Sequence, residues 1–291
     1  MGSQTREPQL GYNTELSYQR VEAKPFVKWA GGKRKLISSF APHFPSLQQT
    51  RRYFEPFLGG GAVFFHLQHP CSFLSDSNEE LVELYMVVRD RVEDLIESLR
   101  KHRNEEGYYY EVRSQRPKML TSIESASRFI FLNKTCYNGL YRVNSKRQFN
   151  VPFGRYKRPL ICDTEGLRAA SLALQKAQIF SADFESAVSE ARERDFIYFD
   201  PPYHPLSETS SFTSYTAGKF DTSEQERLAR VYRDLDHRGC YVMLSNSDTP
   251  LIRELYAHFQ IIEVQANRAI NSKSDGRGKI TELLIINYGG E

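Results

Sequence analysis

With 291 residues, 40% hydrophobic and 26% charged, the chain has the balance of a globular protein large enough for one big domain or a core domain plus a smaller one. No apolar run approaches the roughly 18 residues that span a bilayer, and the polar stretch 1–24 lacks the apolar heart of a signal peptide, so a cytoplasmic location is expected. The net charge is only +3, and the four cysteines (Cys71, Cys136, Cys162, Cys240) lie far apart without a Cys-x-x-Cys pair, which argues against a disulfide framework and against a zinc site.

Residues 1–24 show no apolar period and read as a tail. Lys28-Trp29-Ala30-Gly31-Gly32-Lys33 combines two lysines, the only Trp and a Gly-Gly turn, and reads as a ligand-facing loop. It is not a phosphate loop, because Arg34 stands where that motif needs Ser or Thr. Arg52 to Phe57 predicts a strand, Leu58-Gly59-Gly60-Gly61 a turn, and Ala62 to Leu67 a helix. Cys71 to Ser75 is a second strand, closing at Asp76. The spacing of Leu81, Leu84, Tyr85, Val88, Val92, Leu95, Ile96 and Leu99 predicts one helix over Glu79–Arg103, and Ile123 to Lys134 continues helical. Tyr137 to Pro159 breaks the period with Asn, Gly, Pro and aromatics, and predicts a loop plus hairpin. Ile179–Asp183, Phe196–Phe199, Tyr241–Ser245 and Leu283–Ile286 read as further strands. A capping box at Thr222-Ser223-Glu224-Gln225 opens a helix carrying Leu228, Val231, Tyr232 and Leu235, which Gly239 ends; Glu254 to Phe259 also looks helical. Strands alternating with helices predict a doubly wound α/β sheet with a basic, helical insertion.

Charge is unevenly placed. Lys134 to Arg158 holds seven Lys/Arg and no acid, whereas Glu79 to Glu111 holds ten acids and five bases. The basic block fits a polyanion; the alternative is a solvated face. The glycine turn would let a ligand approach the backbone, and Asp76 could accept bonds from ribose hydroxyls; the alternative is a structural turn with an exposed acid. The chemistry lies in Asp200-Pro201-Pro202-Tyr203. Two prolines cannot continue a ladder, so the chain turns at the strand's carboxyl end, where open α/β sheets hold ligands. An aromatic amine is a poor nucleophile because its lone pair is delocalised. Acceptors from Asp200 and the Pro201 carbonyl would favour a pyramidal nitrogen, and Tyr203 could stack on the ring, so the gain comes from positioning.

Taken in order, the Lys28–Lys33 loop, Glu55-Pro56-Phe57-Leu58-Gly59-Gly60-Gly61, Tyr137–Asn144, Phe149–Tyr156 and Asp200–Tyr203 resemble Dam-type DNA adenine-N6 methyltransferases, over roughly residues 25–288. The resemblance implies a Rossmann-like S-adenosylmethionine-dependent sheet over 25–78 and 164–291, with a mainly helical target-recognition domain carrying a β-hairpin over 79–163. It implies S-adenosyl-L-methionine as donor, S-adenosyl-L-homocysteine as product, no metal, and a flipped adenine of double-stranded DNA, within GATC, as acceptor. Carried over by position, Trp29, Ala30, Gly31, Lys33, Phe57, Gly59, Gly61, Asp76, Asp183, Phe184 and Asp200 line the cofactor site. Asp200, Pro201, Pro202 and Tyr203 are catalytic. Lys28, Tyr137, Asn138, Leu140, Arg142, Asn144, Pro152, Arg155, Tyr156 and Lys157 bind DNA, with Arg142 and Lys28 on guanines. The resemblance further implies a monomer, nucleoid-associated within the cytoplasm already expected and with no membrane partner. A partner restriction endonuclease, outside any direct complex, stays open, as does the role of the loop Asn271–Lys279. A cytosine-N4 methyltransferase usually has Ser before Pro-Pro, so Asp200 argues against it, and the recognition block argues for duplex DNA over RNA. A deaminase would need a zinc signature that the sequence lacks. The rival outside catalysis is a DNA-binding module on an inactive methyltransferase fold, against which the intact motifs weigh.

Overall fold

The computed structural model describes residues 21–206, 220–267 and 279–289. Seven strands form one sheet: β1 (Tyr53–Glu55), β2 (Ser72–Asp76), β3 (Ala177–Ser181), β4 (Phe196–Phe199), β5 (Tyr241–Ser247), β6 (Gln260–Asn267) and β7 (Lys279–Ile286). Their order is β3-β2-β1-β4-β5-β7-β6, with β1 to β5 parallel and β7 antiparallel to both its neighbours. All four residues of β4 are buried, as expected of a parallel strand covered on both faces. Successive side chains feed opposite layers. Tyr53, Leu74 and Tyr198 join one core; Phe54, Ile197 and Phe199 join the other.

The helices are α1 (Ile37–Phe40), α2 (Ala62–Leu67), α3 (Glu79–Asp90), α4 (Val92–Leu99), α5 (Glu106–Ser114), α6 (Ser122–Thr135), α7 (Thr164–Leu174), α8 (Phe184–Ala187), α9 (Thr222–His237) and α10 (Pro250–Leu255). None among the described residues is long and apolar enough to cross a membrane. Between β2 and β3 the chain builds α3 to α7. There α3 packs on β2 and β3 and also on α6. A separate small core of Tyr109, Val112, Phe131, Leu132, Cys136, Phe149 and Val151 holds the insertion's outer half.

The sheet order reverses between β1 and β4. The chain steps from β1 outward to β2 and β3, then returns to the other side of β1. The loops after β1 and β4 therefore open onto one crevice at their carboxyl ends.

Several elements differ from the sequence expectations. The helix expected over Glu79–Arg103 breaks at Arg91 (φ −137°, ψ 38°). The bend lets Leu84 and Val88 of α3 and Leu95 and Leu99 of α4 reach one core while both helices pack on α6. α6 opens with a capping box between Thr121 and Glu124. α9 is capped by Asp221 rather than Thr222, because the carboxylate accepts from the N–H groups of Ser223 (3.0 Å) and Glu224 (3.2 Å). The helix expected over Glu254–Phe259 lies earlier, where Thr249 caps it and Pro250 takes the first position. After a turn at Tyr256–Phe259, β6 begins at Gln260, a strand the sequence reading did not include. Its pairing with β7 extends the last strand back to Lys279. Asp183 lies beyond β3 and caps α8. In 137–159 the hairpin is narrow: Val143–Phe149 and Cys136–Phe153 are isolated antiparallel bridges around a turn at Asn144–Arg147. The loop Asn271–Lys279 lies, up to Lys279, outside the described residues.

Candidate active site

β4 delivers Asp200 to the crevice, and Pro201 and Pro202, which have no N–H, end the ladder there. Among the described residues, both partners of the Asp200 carboxylate use Oδ1: Lys33 Nζ at 2.7 Å and Ser245 Oγ, which donates at 3.0 Å. Lys33 is only 3% exposed, an unusual place for an ammonium. It is compensated by Asp200, by the Gly31 carbonyl at 2.6 Å and by the Tyr203 ring, whose centroid lies 4.4 Å away. Burial pushes the Asp200 carboxyl above its ordinary value, and the Lys33 ammonium and Ser245 hydroxyl pull it back. The Tyr203 hydroxyl donates to Glu282 Oε2 on β7 at 2.6 Å. Burial, then the nearby Asp200 and Glu282 charges, keep that phenol protonated.

The other half of the crevice is the turn after β1. Gly59 (φ +48°) donates its N–H to Asp76 Oδ2 at 3.0 Å, and Asn78 N–H reaches Oδ1 at 2.9 Å. A Cβ on Gly59 would stand 2.7 Å from Trp29 Cδ1, so only glycine permits this approach. Burial raises the Asp76 carboxyl, opposed by those backbone donors. Phe57 stacks on Phe184 at 5.4 Å, and the Arg227 guanidinium lies 4.2 Å over the Phe184 ring. Arg227 also pairs with Asp183, and its Nε is buried with no hydrogen-bond partner among the described residues. Trp29 stacks on Tyr141 of the insertion at 5.2 Å, while Ala30 and Gly31 are exposed. A carboxylate, bare backbone and stacked rings are the donor set a nucleoside needs, so the residues fit an adenosine-containing cofactor.

The insertion meets the crevice through Lys28. Asn133, buried in α6, accepts from Lys28 N–H and donates to Lys28 C=O, both at 2.8 Å. The Lys28 ammonium lies 5.1 Å over the Tyr156 ring. Lys28 and Tyr156, with Lys134, Lys157 and Arg158, line a basic cavity of about 370 Å³. Tyr137 and Pro152 are exposed, Leu140 is half-buried, and Asn138 adopts a left-handed conformation (φ 57°). Arg142 Nε donates to Asn150 Oδ1 across the hairpin at 2.8 Å. Two of the residues expected to contact DNA also make local contacts. Asn144 Oδ1 accepts from Lys146 and Gln148 N–H groups to build the turn, and Arg155 pairs with Glu106 at 3.2 Å.

Sequence reasoning missed Asn133, Gln225, Ser245, Asn246 and Glu282. The run Ser245-Asn246-Ser247 closing an apolar strand was a usable signal, since polar residues at a strand's carboxyl end face ligands. Asn133, inside a helix, gave none.

A family model described as D12 class N6 adenine-specific DNA methyltransferase matches residues 29–270. The chain is 46% identical over 284 residues to the type II methyltransferase M1.LlaDCHI of Lactococcus lactis subsp. cremoris, covering 94% of this chain and 99% of that protein. It is 46% identical over 289 residues to the type II methyltransferase M.MjaIII of Methanocaldococcus jannaschii, covering 92% and 100%. To the DNA adenine methylase of Escherichia coli K12 it is 35% identical over 267 residues, covering 90% and 95%.

Proposed function

This chain belongs to the D12 class of N6 adenine-specific DNA methyltransferases, and from that membership we propose how its own residues carry the reaction. The acceptor is an adenine of duplex DNA, most simply within GATC, rotated out of the stack into the Asp200–Tyr203 turn. The donor that membership implies is S-adenosyl-L-methionine, which when bound supplies an electrophilic methyl group and leaves as S-adenosyl-L-homocysteine. Asp76 holds its ribose, the Gly59–Gly61 turn admits its backbone-facing side, and Phe57, Phe184 and Asp183 hold its adenine. Trp29 and Lys33 wall the site. The second Asp200 oxygen and the Pro201 carbonyl accept the amine N–H groups and aim its lone pair, and the Tyr203 ring stacks on the base. Lys33 opposes the burial that raises the Asp200 carboxyl, so it favours the ionised form that accepts the amine. Residues 79–163 together with Lys28 read the sequence and hold the backbone, with Arg142 and Lys28 on guanines and Tyr137 entering or flanking the target base pairs. We place the enzyme in the cytoplasm as a monomer that needs no bound endonuclease.

The observation that carries the reading is adjacency: Asp200 after β4 and the Gly59 turn after β1 share the crevice where the sheet order reverses. The test uses the full chain with methyl-labelled S-adenosylmethionine and GATC duplexes. Label at adenine N6, lost when the site is scrambled, is expected. Label on cytosine, or equal labelling of scrambled duplexes, sinks the reading. Asp200→Ala is expected to lower kcat by roughly 10²-fold or more. Near-normal turnover in that variant removes Asp200 from the mechanism.

A further inference from the structure

We propose that Gln225 and Asn246 are positioning residues that lock the Asp200–Tyr203 turn in its reacting shape, an inference that rests on the reading of that turn as the adenine site. Both side chains are 0% exposed, though neither is apolar. Gln225, in the first turn of α9, donates Nε2 to the Pro202 carbonyl at 2.9 Å. Its Oε1 accepts from Asn246 Nδ2, on β5, at 3.0 Å. Asn246 Oδ1 then accepts from the N–H groups of His204 (3.1 Å) and Ser247 (2.8 Å). The Ser247 hydroxyl closes the ring by donating to the His204 carbonyl.

The direction of this relay is forced. A carbonyl only accepts, so Gln225 must show its nitrogen to Pro202. Its oxygen then faces Asn246, which must show nitrogen back and turn its own oxygen to His204 N–H. The relay ends on Pro202 on one side and His204 on the other, the two residues flanking Tyr203. The need for it follows from the motif. Pro201 and Pro202 have no N–H, so the turn cannot tie itself to β5 by a ladder. Buried side-chain amides from two other elements do so instead, and a fully satisfied buried network admits one arrangement. Neither amide has a polar contact with the Asp200 carboxylate or the Tyr203 hydroxyl in this structure, so their effect is on where those groups stand.

The discriminating variant is Gln225→Glu, which keeps shape but sets a carboxylate against the Pro202 carbonyl. In the full chain, with S-adenosylmethionine and GATC duplex, kcat is expected to fall by about 10- to 100-fold, with cofactor Kd within about twofold of wild type. Because a protonated carboxyl regains a donor, the ratio of variant to wild-type kcat should climb as pH falls. Gln225→Leu should lose kcat with no such recovery. Wild-type kcat in Gln225→Glu at every pH overturns the proposal, as does a loss that ignores pH and follows lowered thermal stability. A turnover-free measurement separates this from the function itself: hydrogen exchange at the His204 amide should speed up by about tenfold or more in Asn246→Ala, relative to the β5 amides. Unchanged exchange there overturns the clamp even if the wild-type chain methylates adenine. Clamp-dependent exchange in a wild-type chain that methylates no DNA would leave the clamp standing and remove the proposed function.

Discussion

Glu55 is a carboxylic acid at 2% exposure, with Tyr53 hydroxyl (2.7 Å) and Phe64 N–H (3.0 Å) both donating to its Oε2. Burial pushes it up to about 8, helped by the charges of Asp200 and Asp76 and opposed by the two hydrogen bonds. Its ordinary value is about 4.3. Between those values the unfolded chain ionises while the folded chain stays protonated. The folded state therefore loses ground as pH rises from about 4.3 toward 8, where the folded acid also ionises. Glu55→Gln should flatten this trend. In urea titrations from pH 5 to 8 the variant should gain on wild type by up to about 1.4 kcal/mol per pH unit. A stability difference that does not change with pH would mean Glu55 is ionised in the fold. The sequence marks Glu55 as part of the glycine-turn motif, but its burial comes with the core that Phe64, Tyr85 and Tyr198 share, which is assembled from segments distant in the chain.

At the scale of elements, the strand–turn–helix around Gly59 was legible because every cue is local: an apolar run, three glycines, then an apolar helix. Its partner was not. Trp29 arrives from a loop before β1 and fills the space a side chain at 59 would need. Gly59→Ala should therefore cost more than about 1 kcal/mol of stability, from the left-handed φ and the clash together, and weaken S-adenosylmethionine binding. Thermal melts with calorimetric titration check both; wild-type values for either would mean Trp29 yields freely. The break between α3 and α4 was illegible for the opposite reason. The three-and-four spacing of apolar residues runs through Arg91 unbroken, because both helices face one core, so periodicity alone predicts one rod. Local pattern likewise hid β6, whose pairing is decided by β7, a strand that follows later in the chain.

At the scale of the whole molecule, the insertion adds a basic rim to a crevice built by the sheet, through Asn133 gripping Lys28 across 105 residues of chain. Affinity for a GATC duplex should fall steeply with salt. Lys157→Ala should reduce the log–log salt slope by about one without changing sequence preference, whereas Arg142→Ala should relax discrimination at one base pair by about 1–3 kcal/mol. Anisotropy titrations over several salt concentrations decide between them; an unchanged slope for Lys157→Ala takes that residue off the backbone. The sequence by itself determined the alternation of strands and helices, the proline turn that ends β4 at Asp200 and the acid-free basic block, because composition, period and proline or glycine chemistry act between near neighbours. Only the tertiary structure decided that β4 returns beside β1, that Lys33 faces Asp200, that Glu282 holds Tyr203 across 79 residues, and that Gln225 and Asn246 hold the turn. Those are contacts between segments distant in the chain, set by burial and strand order, which no local pattern encodes.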